Sequence, residues 1–380
     1  MDKKSSNSTV PPIRCFVNTG SRPVPLDSGP EGAATGRQML PGETGMTYGQ
    51  YLGLVAGLLS QNSFQIPGEL LKKQPKPWPK LEASSSLELI AEKHGALYSV
   101  SRLRVRFGDD ILQFAVNCAF SPQQQAFLQV EVDLLSELGA RFDLPYIPTP
   151  FIAAQSPGLM LFIAQWFENH HEFHLSAAGS GAPAIKIWND TGERKVIESP
   201  KILELYAQAA QILTSYLDID TFSQIYPWHH AAGDFIIDDT QTPTSLRLIT
   251  VRGYRPLLSE DSDCRNKLLG ALHFLINLCI RMRIDRLDGV GELAWAGAHC
   301  LPGVVRGFRQ AWESRRKNST LPRAEEIFSL FRALSVEERM AFAEAVALDG
   351  MIEADESEFL LARLPACMVE LANTLEDCRF

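Results

Sequence analysis

The stretch LYSVSRLRVRF (97–107), GDD (108–110) and ILQFAVNCAF (111–120) decides the fold class. In the first segment Val100, Leu103, Val105 and Phe107 stand between polar neighbours, with one slip near Ser101, which is the period of a half-buried strand. GDD is turn chemistry, because Gly and Asp tolerate the conformations a tight reversal needs. The second apolar run completes a hairpin. Pro122 follows at a first helical position with Ser121 as its cap, and the pattern QQQAFLQVEVDLLSELG then predicts a helix ending at Gly139. A strand pair followed directly by a long helix implies an α+β protein.

Outward from this core, SSLELIAEKHG (85–95) predicts a helix stopped by Gly95. Residues 1–45 are rich in Ser, Pro and Gly, show no period, and are expected to carry no independent fold. Residues 46–60 predict one short apolar helix, and KKQPKPWPK (72–80) is a linker broken by three prolines. On the other side, LPYIPTP (144–150) is an extended connector. GLMLFIAQWF (158–167) is a buried strand or a short helix. AIKIWNDTGERKVI (184–197) predicts a hairpin. Ser199–Pro200 opens a helix reaching Leu217, FIID (235–238) and SLRLITV (245–251) are short strands, and everything from Cys264 onward has a helical pattern. The expected organisation is an extended or disordered arm and linker (1–80), a small α+β lobe (81–168), a larger, mainly helical lobe (169–320) and a helical C-terminal module (321–380).

Composition narrows the function classes. With 45% apolar residues in 380, the chain can bury a sizeable core without disulfides. A net charge of −9 disfavours binding nucleic acid by bulk electrostatics, although Arg281, Arg283 and Arg286 form a local basic group. The seven cysteines are odd in number and contain no C-x-x-C pair, which fits reduced thiols in the cytoplasm. The start, MDKKSSNSTVPP, has no apolar signal core, and the longest apolar stretch, Leu268 to Ile280, is too short to span a bilayer. No GxGxxG, Walker A or G-x-S-x-G motif occurs.

The element order is similar to the kinase-like fold, in the broad sense that includes aminoglycoside phosphotransferases. In that resemblance 97–107 and 111–120 stand for the glycine-loop hairpin and the strand after it, and 122–139 for the regulatory helix, with Glu131. FIAQWFE (162–168) leads to the hinge. PWHHAAGDFIID (227–238) stands for the catalytic loop, and LRLITVR (246–252) for the strand that leads to a metal-binding Asp. The resemblance implies a two-lobe body that binds a nucleotide with Mg²⁺, or another small ligand, in an interlobe cleft. Asp234 then stands either for the catalytic Asp or for a metal ligand, with His229 or His230 in the catalytic position. The strand Lys that holds the phosphates is replaced by Asn117 or Cys118, and the metal-binding Asp by Thr250; Lys186 in AIK is a hairpin residue. Such kinases neutralise phosphate charge with these groups, so the implied protein is a degenerate, pseudokinase-like regulator rather than a conventional phosphotransferase.

Other clusters support alternatives. His170, His171, Glu172 and His174, with His229, His230 and Asp234, carry the residue types for Zn²⁺ or for acid–base catalysis, and on a helix His170 and His174 would share a face. The plainer expectation is that these histidines cap turns. His171, Glu172, His174, Arg252, Arg281 and Arg286 are the candidate ligand-binding residues, the arginines because a guanidinium offers a planar fork of donors. Arg281–Asp285 also fits an i, i+4 helical pair within a salt-bridge network. ERMAFAEAVALDGMIEADESEFLLARL (338–364) is similar to modules of the tellurite-resistance TerB-like class, through Asp349, Gly350, Glu353 and Glu356. The arm and the helical tail together would suit a scaffold or assembly subunit with a protein partner.

Overall fold

The structure, a computed structural model, describes residues 9–20, 22–40, 45–94, 98–177, 183–188, 194–228, 233–259, 262–289, 291–316, 321–349 and 354–377. The protein is α+β. It divides into two compact units. The first takes the described residues of Met1–Gly139 and Pro148–Glu168, and the second those of Ala140–Ile147, Asn169–Asn189 and Glu193–Phe380.

The first unit is built on a seven-stranded sheet. Its strands are β1 (Ile13–Asn18), β2 (Pro23–Pro25), β3 (Ser86–His94), β4 (Ser99–Phe107), β5 (Asp110–Ala119), β6 (Pro150–Ser156) and β7 (Leu159–Gln165), in the spatial order β2-β1-β3-β4-β5-β7-β6. β1 runs parallel to β3, and the other neighbours are antiparallel. The 97–120 hairpin forms as its alternation predicts. Within the stretch expected to be a helix, Ser86–His94 form β3 instead. Leu87, Leu89 and Ala91 recur at a period of two and are buried, and the ladders to β1 and β4 outweigh the helical spacing of Leu87, Ile90 and Ala91. The 158–167 ambiguity resolves as strand β7.

The expected arm is part of this unit. It contributes β1, β2, α1 (Gly29–Gly36), α2 (Tyr48–Leu59) and α3 (Gln61–Lys72). Tyr51, Leu52, Val55 and Leu59 of α2 and Leu70 and Leu71 of α3 pack in one apolar cluster with Leu87, Leu89, Leu103, Val105, Phe114 and Val116 of the sheet. The Ser/Pro/Gly-rich composition misled because the apolar residues that anchor this segment are few and find their partners far along the chain. On the opposite sheet face Arg102 and Arg104 pair with Glu92 and Glu88 at 2.6 and 3.3 Å. α4 (Pro122–Phe142) starts where predicted: the Gln124 amide donates to Ser121 Oγ at 3.2 Å and Gln124 Oε1 accepts from the Ser121 amide at 3.2 Å. It continues past Gly139 to Phe142.

The second unit holds a five-stranded sheet made of β8 (His171–Ser176), β9 (Ala184–Trp188), β10 (Arg194–Val196), β12 (Phe235–Asp238) and β13 (Ser245–Leu248), in the order β10-β9-β8-β12-β13. Two short ladders join β11 (Gln224–Ile225) to β14 (Tyr254–Arg255) and β15 (Ile284–Arg286) to β16 (Leu293–Trp295). The helices are α5 (Ser199–Ser215), α6 (Cys264–Arg281), α7 (Leu301–Arg316), α8 (Ala324–Ala333), α9 (Val336–Leu348), α10 (Ala354–Leu361) and α11 (Leu364–Asp377). β15 and β16 interrupt the run expected to be helical throughout. α5 and α7 meet backbone to backbone: a Cβ at Gly303 would lie 2.5 Å from the Leu203 carbonyl oxygen, and one at Gly307 1.9 Å from that of Ala207. Among the described residues no helix is long and apolar enough to cross a membrane.

Candidate functional site

β8 carries the histidine segment as a strand, not as a helix. Its inward set, Phe173 and Leu175, lies opposite Ile187 and Ile185 of β9. Glu172, His174 and Ser176 share the other face. His171 pairs in register with Ile237 and Glu172 with Ile236. His170 Nε2 lies 3.2 Å from Ser245 Oγ. His174 is buried, with its ring centroid 4.6 Å from that of Trp188 and its Nε2 3.6 Å from Glu172 Oε2. Gly289 packs against the same imidazole. It has a φ of 79°, and a Cβ there would come within 2.7 Å of His174 Cε1.

Two acidic residues of the stretch IDRLDG (284–289) meet this strand. α6 ends at Arg281, so the expected Arg281–Asp285 helical pair does not form, and Asp285 lies on β15. Asp285 is buried, and its Oδ2 accepts the Leu175 amide at 3.0 Å. Burial pushes its carboxyl up to about 6 from the ordinary carboxylate range, and the Asp234 charge adds to the rise. The Leu175 and Arg286 amides and the His174 imidazole work against it. Asp288, in a left-handed conformation at φ 53°, accepts from Ser176 Oγ at 2.6 Å and from Arg194 at 3.1 Å. The Arg194 guanidinium also lies 4.2 Å from the Trp188 ring centroid. Asp285, Asp288, Ser176 and Gly289 were not singled out from the sequence as site residues. Their available signal was the acidic pair in IDRLDG, which the helical pattern of the flanking residues obscured.

Asp234 precedes β12 and is 1% exposed. Arg252 grips it with two hydrogen bonds of 2.5 Å, one to each carboxylate oxygen. The Ile249 amide donates to the Asp234 carbonyl at 2.7 Å, which fixes the loop entrance against the residue before Thr250. The remaining arginine candidates also have partners inside the protein. Buried Arg281 donates to the Ala347 carbonyl at 3.0 Å and lies 5.5 Å from the Tyr226 ring centroid. Arg283 bonds the Ala296 carbonyl at 2.9 Å and Glu370. Arg286 reaches Asp355 at 3.0 Å. These contacts tie the 281–286 stretch to α9, α10 and α11.

In the first unit, Asn117 and Cys118 are both buried on β5. The Tyr98 hydroxyl donates to Glu131 Oε2 of α4 at 2.6 Å. His229 and His230 lie outside the described residues, as do Gly350 and Glu353 of the TerB-like segment. Among the described residues no group of three or more His, Cys, Asp or Glu side chains is arranged to hold a metal ion. Comparison with protein-family models found no match to this chain. Comparison with curated proteins found none either.

Proposed function

We propose that the chain is a diverged kinase-like protein that binds a nucleotide or another small ligand and acts as a non-catalytic regulator in the cytoplasm. The observation that carries this reading is the clamp of Arg252 on Asp234. Mg²⁺ is a hard cation that needs charged oxygen ligands with free lone pairs. A carboxylate already held by a two-point guanidinium contact and buried from water is poorly placed to serve it. The order of elements supports the fold half of the proposal. β3, β4 and β5 precede a single helix, α4, and β6 and β7 follow it, with β7 seated beside β5. In the second unit, β12 and β13 follow Asp234, with β11 before it in the chain and β14, the ladder partner of β11, after it. Asn117, on β5, offers no positive charge for phosphates, and Glu131 is held by Tyr98. The six described cysteines are free thiols, which supports a reducing compartment.

The test combines label transfer and phosphate release from ATP, with Mg²⁺ or Mn²⁺, with melting curves over a nucleotide panel. A bound nucleotide raises the melting temperature in proportion to its occupancy of the folded state, while turnover stays at background. Robust turnover abolished by Asp234→Asn would overturn the regulator assignment. No response to any nucleotide would remove the nucleotide from it.

A further inference from the structure

A groove with a volume of 590 Å³ lies within the second unit. α5 contributes Gln208 and Gln211 to it, the β12–β13 turn Gln241, β13 Arg247, and α7 Arg306 and Gln310. It shares no residue with the His174–Asp285–Asp234 cluster. Its volume falls in the range of small-ligand pockets, roughly 300–1,000 Å³. The geometry is fixed from beneath. Gly303 and Gly307 let α7 touch α5 along its backbone, and any side chain there would push the two walls apart. Gln208 rivets the third wall: its Nε2 donates to the Thr244 carbonyl at 2.6 Å, and its Oε1 accepts the Leu246 amide at 3.0 Å.

We propose that this groove binds a small organic dianion, a dicarboxylate or a phosphorylated compound. Its oxyanions sit on Arg247 and Arg306, and its neutral polar atoms on Gln211 and Gln310. The two guanidiniums come from different elements and exceed the single lining carboxylate, Glu204, which already accepts from Gln208 at 3.3 Å. Arg247 is half-buried, with Nη1 anchored on the Leu246 carbonyl at 2.8 Å. Burial lowers its pKa, yet a guanidinium stays protonated at any physiological pH, so a partly desolvated positive charge is held in the wall. Arg306 is exposed and forms no ion pair among the described residues, which leaves its fork of donors open to a ligand. The carboxamides of Gln211 and Gln310 both donate and accept, so they suit hydroxyl or carbonyl substituents. None of this depends on the kinase-like reading.

The experiment is calorimetric titration of the full chain with succinate in one arm and glycerol phosphate in the other. Saturable binding in either arm supports the proposal and assigns the class of anion. Arg306→Gln should weaken that binding by about 10-fold or more, the worth of a hydrogen bond to a charged group. Because Arg306 is exposed and forms no ion pair with a described residue, the melting temperature should not move. Arg247→Gln should weaken it similarly, while Arg309→Gln, on α7 but outside the lining, should leave it unchanged. Absence of saturable binding of both probes up to about 10 mM, the weak end of specific affinity, would overturn the proposal. So would binding that is indifferent to both groove arginines.

Discussion

At the scale of single residues, the Asp234–Arg252 pair carries an asymmetry that can be measured. Asp234 is 1% exposed and the Arg252 side chain 29%. Removing the arginine strands a buried carboxylate, whereas neutralising the carboxylate strands a group that still meets water. Arg252→Met should therefore cost about 3–5 kcal/mol and Asp234→Asn less, about 2 kcal/mol, by chemical denaturation at neutral pH. Equal losses would mean that the clamp is not the main partner of either group. Asp285 gives a pH signature. Its folded-state pKa, about 6, lies above the ordinary 3.8, so the fold binds this proton more tightly than the unfolded chain. Its contribution is fully present below pH 4 and is lost as the pH rises towards 6. Asp285→Asn, which imitates the protonated acid, should flatten that slope and gain up to about 3 kcal/mol at pH 7, with no gain at pH 4. The sequence pointed to Asp234 and to Arg252 separately but not to their pairing across 18 residues, because only the turn through β12 and β13 brings the two together.

At the scale of elements, α2 is a wall of the first unit's core. Leu59→Ala should cost about 2–5 kcal/mol, as for other fully buried leucines. Tyr51→Phe should cost about 1–2 kcal/mol, because the Tyr51 hydroxyl and Ser101 Oγ, 2.6 Å apart, are buried together. Deleting residues 1–60 should abolish the unit's cooperative melting. A truncated chain that melts like the full one would return this segment to the status of an arm. Gly307→Val drives a side chain into the Ala207 carbonyl and should separate α5 from α7, seen as lost helical signal or insoluble expression. The elements legible in the sequence were those whose pattern is local: the β4–β5 hairpin, the capped α4, and α5 behind its Ser–Pro. β1 and β3 were not, because a strand whose partners lie far along the chain has no nearby residue to announce it. The candidate site was half legible for the same reason. The histidines of β8 were visible, but the acidic residues that meet this strand come from β15 and the turn after it, more than a hundred positions on.

At the scale of the whole molecule, the thiols report on integrity. Cys118, Cys279, Cys300 and Cys367 are buried, and burial raises the pKa of each, to about 12 for Cys118 and Cys300 and to about 11 for Cys367. Cys264 is exposed. A thiol reagent at pH 7.5 should modify Cys264 at once and these four only as the chain unfolds, slower by at least about 100-fold. Peptide mapping by mass spectrometry over a denaturant series reads this out for each unit separately, since Cys118 belongs to the first and the other three to the second. Early modification of all four would mean that neither interior is closed. The order in which the ribosome delivers the chain gives the parallel β1–β3 pair a further importance. Asn18, which ends β1, donates to Glu92 at the far end of β3, 74 residues later. At roughly 5–20 residues per second of synthesis, β1 waits some 4–15 s for this part of β3, and the apolar side of α2, made later, waits a shorter time for the same strand. Through that interval Tyr51, Leu52, Val55 and Leu59 stand as an uncovered ridge on the nascent chain, where a chaperone would make its first contact.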